Sequence, residues 1–191
     1  MSVSVLAHPR HPIVESAYTL AVKWCQGHEI DGAPALTHAI RVAQVLHEHV
    51  PAAPPDLIAA ALLHDSPEFA PELEEPEDLD FVLDNLVGVR TRSTIRELER
   101  QHDTMGDPEP VFPEDRDTLL VSAADKIVSL DSILKRGAGA EDPEAFWEVR
   151  RPFLDAVPYF CEFLDTVGPE LPGSMADELG RLVAAAQRLC S

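Results

Sequence analysis

The sequence predicts an all-α fold in a single domain, and three observations carry that prediction. Apolar residues recur at three- and four-residue spacing through most of the chain, the seventeen prolines fall largely at the edges of those runs, and no alternating strand pattern of useful length occurs. At 191 residues, one domain can bury a full core without a disulfide or a structural metal. Any metal in such a chain is therefore expected to serve function.

The elements follow in order. Pro12 opens a first helix reaching about Gly27, with Ile13, Ala17, Leu20, Ala21 and Trp24 at helical spacing. A loop with Asp31, Gly32 and Pro34 leads to a second helix, whose stripe of Ile40, Ala43, Leu46 and Val50 ends at Pro51. Pro54 and Pro55 open a third. Its seven consecutive apolar residues, Leu57 to Leu63, predict burial on nearly every side and a central position. Residues 70–80 are acidic and proline-rich, which suits a surface loop entering a helix over about 77–86. Gly88 breaks the connection to a charged helix over 91–102, marked by Ile95 and Leu98, and a loop with Gly106, Pro108, Pro110 and Pro113 follows. A long helix over about 114–135 is expected to end before Gly137 and Gly139. Two more are expected over 143–167 and 174–189, the first kinked or divided by Pro152 and Pro158.

Composition narrows the partners. The net charge is −19, from 34 acidic and 15 basic residues, and no run of Lys or Arg offers a local exception. Such a surface repels a phosphate backbone, so neither a nucleic-acid polymer nor an anionic membrane is an expected partner. No stretch approaches the ~20 apolar residues needed to span a bilayer, and the start of the chain lacks the basic region of a signal peptide. Cys25, Cys161 and Cys190 are odd in number and lack ligand spacing, so they read as reduced core thiols of a cytoplasmic protein.

Ionisable residues in segments that must be buried are the informative ones, because an unpaired buried charge costs several kcal/mol. His64-Asp65 is attached to the end of the all-apolar run. His38 shares a helical face with Val42 and Val45. Asp125 lies among Val121, Ser122, Val128 and Ser129, with no basic partner along its own helix, so its partner must lie elsewhere in the fold. Two imidazoles and two carboxylates make a mixed set suited to Mn²⁺, Fe²⁺, Zn²⁺ or, less well, Mg²⁺, with positions left open for water. Such an ion activates water near neutral pH and polarises a phosphoryl oxygen. Neighbouring residues on a helix point roughly 100° apart, so His64 and Asp65 reach one ion only where the helix ends. Ser66-Pro67 is expected to supply that end by disfavouring helical geometry at Ser66.

In its order His38, His64-Asp65, Asp125, the chain resembles the HD-domain metal phosphohydrolases. Three blocks sharpen the resemblance: Leu36-Thr37-His38-Ala39-Ile40-Arg41-Val42-Ala43, the stretch AAALLHDSPE over 59–68, and Ala123-Ala124-Asp125-Lys126-Ile127. They are similar to successive blocks of the RelA/SpoT-type alarmone hydrolase branch, over about residues 14–164. The resemblance implies a helical bundle, one divalent metal, usually manganese, and removal of the 3′-pyrophosphate from guanosine tetraphosphate or pentaphosphate. It implies His38, His64, Asp65 and Asp125 as metal ligands, Asp65 thereby also standing in the catalytic centre, and Glu68 as the group that orients or deprotonates the attacking water. Lys126, Arg41, Arg150 and Ser129 are the candidate substrate contacts.

Several positions depart from the branch. Phe69 stands where its second acid is usual, Ser129 where it has asparagine, and Leu154 where its Arg-x-x-x-Tyr pattern, begun here by Arg150, has tyrosine. The basic pair that usually precedes the first histidine is missing, since residues 26–36 contain no Lys or Arg. Dinuclear relatives generally place two further histidines between the HD pair and the last aspartate. Only His102 lies there, so one metal is expected and His102 reads as a solvated residue near a loop.

The leading expectation is a phosphohydrolase for a small nucleotide, with the alarmone as best single substrate. The alternatives are a phosphatase for another phosphorylated nucleotide or cofactor, and a nucleotide-binding regulatory domain without turnover. Oligomeric state has no signal in the sequence.

Overall fold

A computed structural model describes residues 5–30, 32–70 and 76–190, with the side chains of 76 and 77 excepted. Asp31, residues 71–75 of the acidic proline-rich stretch, residues 1–4 and Ser191 lie outside the described residues. The fold is all-α. Its helices are α1 (Pro12–Trp24), α2 (Ala35–His49), α3 (Pro55–Leu63), α4 (Ser66–Phe69), α5 (Pro76–Leu86), α6 (Val89–Asp103), α7 (Arg116–Ala138), α8 (Pro143–Glu148), α9 (Arg151–Asp155), α10 (Val157–Val167) and α11 (Gly173–Gln187). A 3₁₀ turn at Gly168–Glu170 joins the last two, and an antiparallel pair of two-residue strands, β1 (Glu29–Ile30) and β2 (Ala33–Pro34), precedes α2.

The central position expected for the third helix is observed. Every residue of α3 from Leu57 to Leu63 is buried, because α1, α2, α6 and α7 pack around it. Each of its large aliphatic side chains contributes roughly 1.5–3 kcal/mol by leaving water, so α3 is the post to which the site is attached. The longest helix, α7, crosses α2, α3, α6 and α11. Its start is set by Asp115, whose carboxylate accepts from the Thr118 backbone N–H at 3.0 Å. At the opposite edge, His49 donates from Nε2 to Glu178 at 3.0 Å and ties the end of α2 to α11. Nearly all of the buried apolar residues described form one contiguous core.

Two expectations about helix ends are corrected, and the division expected at Pro152 and Pro158 is observed. Ser66 is helical: it begins α4, with Pro67 in the first turn where its missing N–H costs nothing. The break therefore falls earlier, at His64 and Asp65. The long helix does not stop before Gly137 but runs through it to Ala138, because the Trp147 ring of α8 packs where a Cβ would project. The segment over 143–167 is three helices, α8, α9 and α10, with Pro152 and Pro158 each in a first turn. Gly88 has φ of 91°, a conformation that favours glycine, and it caps the start of α6.

The cysteines are free, but only Cys25 is buried; Cys161 is half-buried and Cys190 exposed. Among the described residues, no helix is long and apolar enough to cross a membrane.

Candidate metal centre

The junction between α3 and α4 makes the site. His64 is the C-cap of α3, and Asp65, at φ −90° and ψ 9°, is the N-cap of α4. That bend lets two consecutive side chains converge, with His64 Nε2 3.1 Å from Asp65 Oδ2. His64 is 2% exposed, and its Nδ1 lies 3.0 Å from the Ala61 carbonyl. A carbonyl only accepts, so Nδ1 carries a proton and Nε2 is the atom turned toward the cluster.

His38 and Asp125 arrive from other helices. His38 is on the buried face of α2, and its Nε2 lies 3.2 Å from His64 Nε2 and 3.8 Å from Asp65 Oδ2. Asp125, mid-way along α7, places Oδ1 at 3.1 Å from His38 Nε2 and 3.5 Å from His64 Nε2. The partner that Asp125 lacks on its own helix is thus supplied by α2, α3 and α6, the last through His102, whose Nε2 is 3.6 Å from Asp125 Oδ2. Ser129, one turn on, donates to Asp125 Oδ1 at 3.3 Å.

These distances can be compared with what an ion requires. Donor atoms about 2.1 Å from a cation lie about 3.0–3.5 Å apart at right-angled or tetrahedral coordination. The contacts of 3.1 to 3.8 Å match that spacing with little movement. Without an ion, protons must hold the same atoms together. Burial opposes charge on His64, yet Asp65 and Asp125 outweigh it and raise its pKa well above the ordinary value. Burial likewise opposes the charge on Asp125, and hydrogen bonds from His102, His38 and His64 outweigh it, holding that carboxyl well below the usual range. Asp65 is lowered against its burial mainly by His64. His38, His64 and Asp65 each present a ligand atom within 4.8 Å of one another, a spacing and donor chemistry that fit a divalent cation, and Asp125 Oδ1 lies beside both imidazoles.

A cavity of about 350 Å³ opens onto this cluster, lined among others by Asp65, Glu68, His102, Lys126 and Phe160. Glu68 is exposed on α4, and partial burial together with the Asp65 charge raises its carboxyl above the ordinary value. Lys126 is 2% exposed. Its ammonium donates to Ser122 Oγ at 3.0 Å, Ser122 donates to Gln101, and the Gln101 amide donates to the Tyr159 hydroxyl. The rings of Phe163 and Tyr159 flank it at 4.6 and 5.4 Å. Burial, partly offset by Asp125, lowers its pKa to about 8.

A second cleft of about 240 Å³ continues past His38 between α2 and α7, sharing Ile30, His38 and Ser129 with the first. Arg41 lines it, donating to Gln44 at 3.3 Å, as do Glu48, Asp131 and Glu178. Arg150 is not brought to either cavity among the described lining residues. Its guanidinium lies over its own Phe146 ring at 3.8 Å and donates to the Phe146 carbonyl. Phe69 packs against His28 and lines an apolar pocket with Trp24 and Leu62, behind the α3–α4 junction.

Sequence reasoning missed His102, expected to be solvated but found against Asp125, and also Met105 and Ile30 on the cavity wall. A signal for His102 existed: it continues the buried Ile95 and Leu98 stripe of α6 by one turn. The chain matches no protein-family model and no curated protein.

Proposed function

We propose that the protein is a cytoplasmic, metal-dependent phosphohydrolase of HD-domain type acting on a small phosphorylated nucleotide. The observation that carries this reading is the convergence of His38, His64, Asp65 and Asp125 from separate helices at ion-coordinating spacing beside a cavity. Free cysteines fit a reducing compartment. A divalent cation, with manganese first choice, would polarise the phosphoryl oxygen and activate water there.

The chain's own groups complete the reaction. Glu68, a stronger base than an ordinary carboxylate, lies on the cavity wall where it can take the proton of the attacking water. The water oxygen bonds to phosphorus, the bond to the leaving oxygen breaks, and that oxygen is reprotonated from solvent. Lys126 lines the same cavity, and its positive charge would offset that of a phosphate. Ser129 holds Asp125 in place, and Phe160 gives the cavity an apolar wall that would suit a base.

Guanosine tetraphosphate, losing its 3′-pyrophosphate, is the first substrate to test, from the three sequence blocks. A less charged phosphorylated nucleotide or cofactor has its own supporting observation. Arg41 shares its cleft with Glu48, Asp131 and Glu178, and strands β1 and β2 contribute apolar Ile30 and Ala33 to the wall. Phosphate and pyrophosphate release with Mn²⁺ across such a panel, with His64→Ala as blank, tests the proposal. Product from any member, absent in the blank, is expected. Equal turnover by the blank overturns the site, and ligand binding without turnover replaces hydrolysis with a regulatory role.

A further inference from the structure

We infer that Asp65, Glu68 and His102 form a second divalent-cation site, joined to the first through Asp65. The inference rests on the proposed reading of His38, His64, Asp65 and Asp125 as the first site. Each of the three residues presents one ligand atom, and these atoms lie within 4.8 Å of one another. Asp65 also belongs to the cluster formed with His38 and His64. Asp125 is divided in the same sense: its Oδ1 faces His38 and His64, while its Oδ2 faces His102 at 3.6 Å. Two carboxylates are thus turned to both groups at once, and both groups open on one cavity.

Charge supplies an independent argument. With a single dication, the carboxylates of Asp65 and Asp125 cancel it, and Glu68 cancels Lys126. A phosphate dianion entering that cavity meets no net attraction in a chain of charge −19. A second dication makes the centre doubly positive, the charge a phosphate dianion requires. Two carboxylate oxygens and one imidazole nitrogen suit Mn²⁺, Fe²⁺ or Zn²⁺ and leave several positions for water or substrate oxygen. Three ligands, one of them the exposed Glu68, make this the weaker of the two sites.

The test is manganese counting on the full chain by the electron paramagnetic resonance of free Mn²⁺, in wild type, His102→Ala, Glu68→Gln and His64→Ala. Wild type is expected to bind two ions of separable affinity, with a spin-coupled signal appearing above one equivalent, as ions about 3.5–4 Å apart would give. His102→Ala and Glu68→Gln should each weaken the second ion roughly tenfold or more while leaving the tight one in place. Glu68 is exposed, so its variant remains folded even where His102→Ala does not. One ion per chain at saturation, or two ions unaffected by both variants, overturns the second site and leaves the first standing. Absence of a tight ion in wild type, or its retention in His64→Ala, overturns the first site itself.

Discussion

The Nε2 atom of His38 lies 3.1 Å from Oδ1 of Asp125, a contact that closes 87 residues of chain. It joins α2 to α7 across the end of α3 and buries a polar cluster beside the apolar core. His64 and His102 lie beside the same carboxylate, Ser129 donates to it, and the neighbouring Lys126 ammonium adds a further positive charge.

Removing one member should therefore cost stability as well as metal. His64→Ala removes a cation shared by the buried Asp65 and Asp125, and breaking a buried ion pair typically costs about 3–5 kcal/mol. Chemical denaturation of metal-free protein is expected to show a loss of that order. The same variant should show no tight manganese binding and no turnover. A variant as stable as wild type would mean that water already solvates the cluster.

The pH dependence has a defined sign. In metal-free protein the raised pKa of His64 contributes stability that is complete below its unfolded value of 6.5 and lost as pH rises through the folded value. The lowered pKa of Asp125 contributes stability present above 3.8 and lost as pH falls through its folded value. Manganese displaces the His64 proton, so its binding strengthens over the same rise in pH. Thermal melts should show the Mn²⁺ increment in Tm growing from about pH 6 to about pH 8. An increment that shrinks over that range would contradict His64 as a ligand.

Lys126→Met separates substrate binding from fold. Methionine fills similar volume against Phe163 and Tyr159, and replacing a buried charge by an apolar side chain is often near neutral for stability. Ser122 keeps its bond to Gln101. The expected result is stability within about 1–2 kcal/mol of wild type with KM raised roughly tenfold, consistent with loss of one charge-assisted hydrogen bond. Unchanged KM in steady-state kinetics would assign Lys126 to packing alone.

Gly137→Ala tests the docking of α8. Alanine is the better helix former by up to ~1 kcal/mol, but its Cβ meets the Trp147 ring. Overpacking of this kind costs about 1–3 kcal/mol. A net loss in denaturation midpoint is expected, accompanied by a change in tryptophan fluorescence as the Trp147 ring moves.

Much of the fold was legible because local rules act over a few residues. Pro12, Pro55 and Pro143 sit in first turns, and the apolar run from Leu57 to Leu63 marked the helix that every neighbour packs against. At Gly137 the miss comes from a distant partner overriding a local preference. Gly137 would ordinarily end a helix, and Trp147 from α8 makes it the residue that allows close packing. Cys190 resembled a core thiol in an apolar helical context, yet it lies past the end of α11 and is exposed.

The four residues of the cluster could be nominated from sequence alone. Burial of the segments around His38, His64, Asp65 and Asp125 follows from apolar neighbours within a few positions, and buried charges demand partners. Which partners meet, and at what distance, is a property of helix packing. Only the tertiary structure brought His102 from α6 to Asp125, turned Glu68 toward the cavity, set Lys126 between two rings and left Arg150 on its own Phe146. The physical reason is range: propensity and hydrophobic period are written within a turn or two of chain, whereas ion coordination and charge balance depend on a few ångströms between residues that the chain separates by tens of positions.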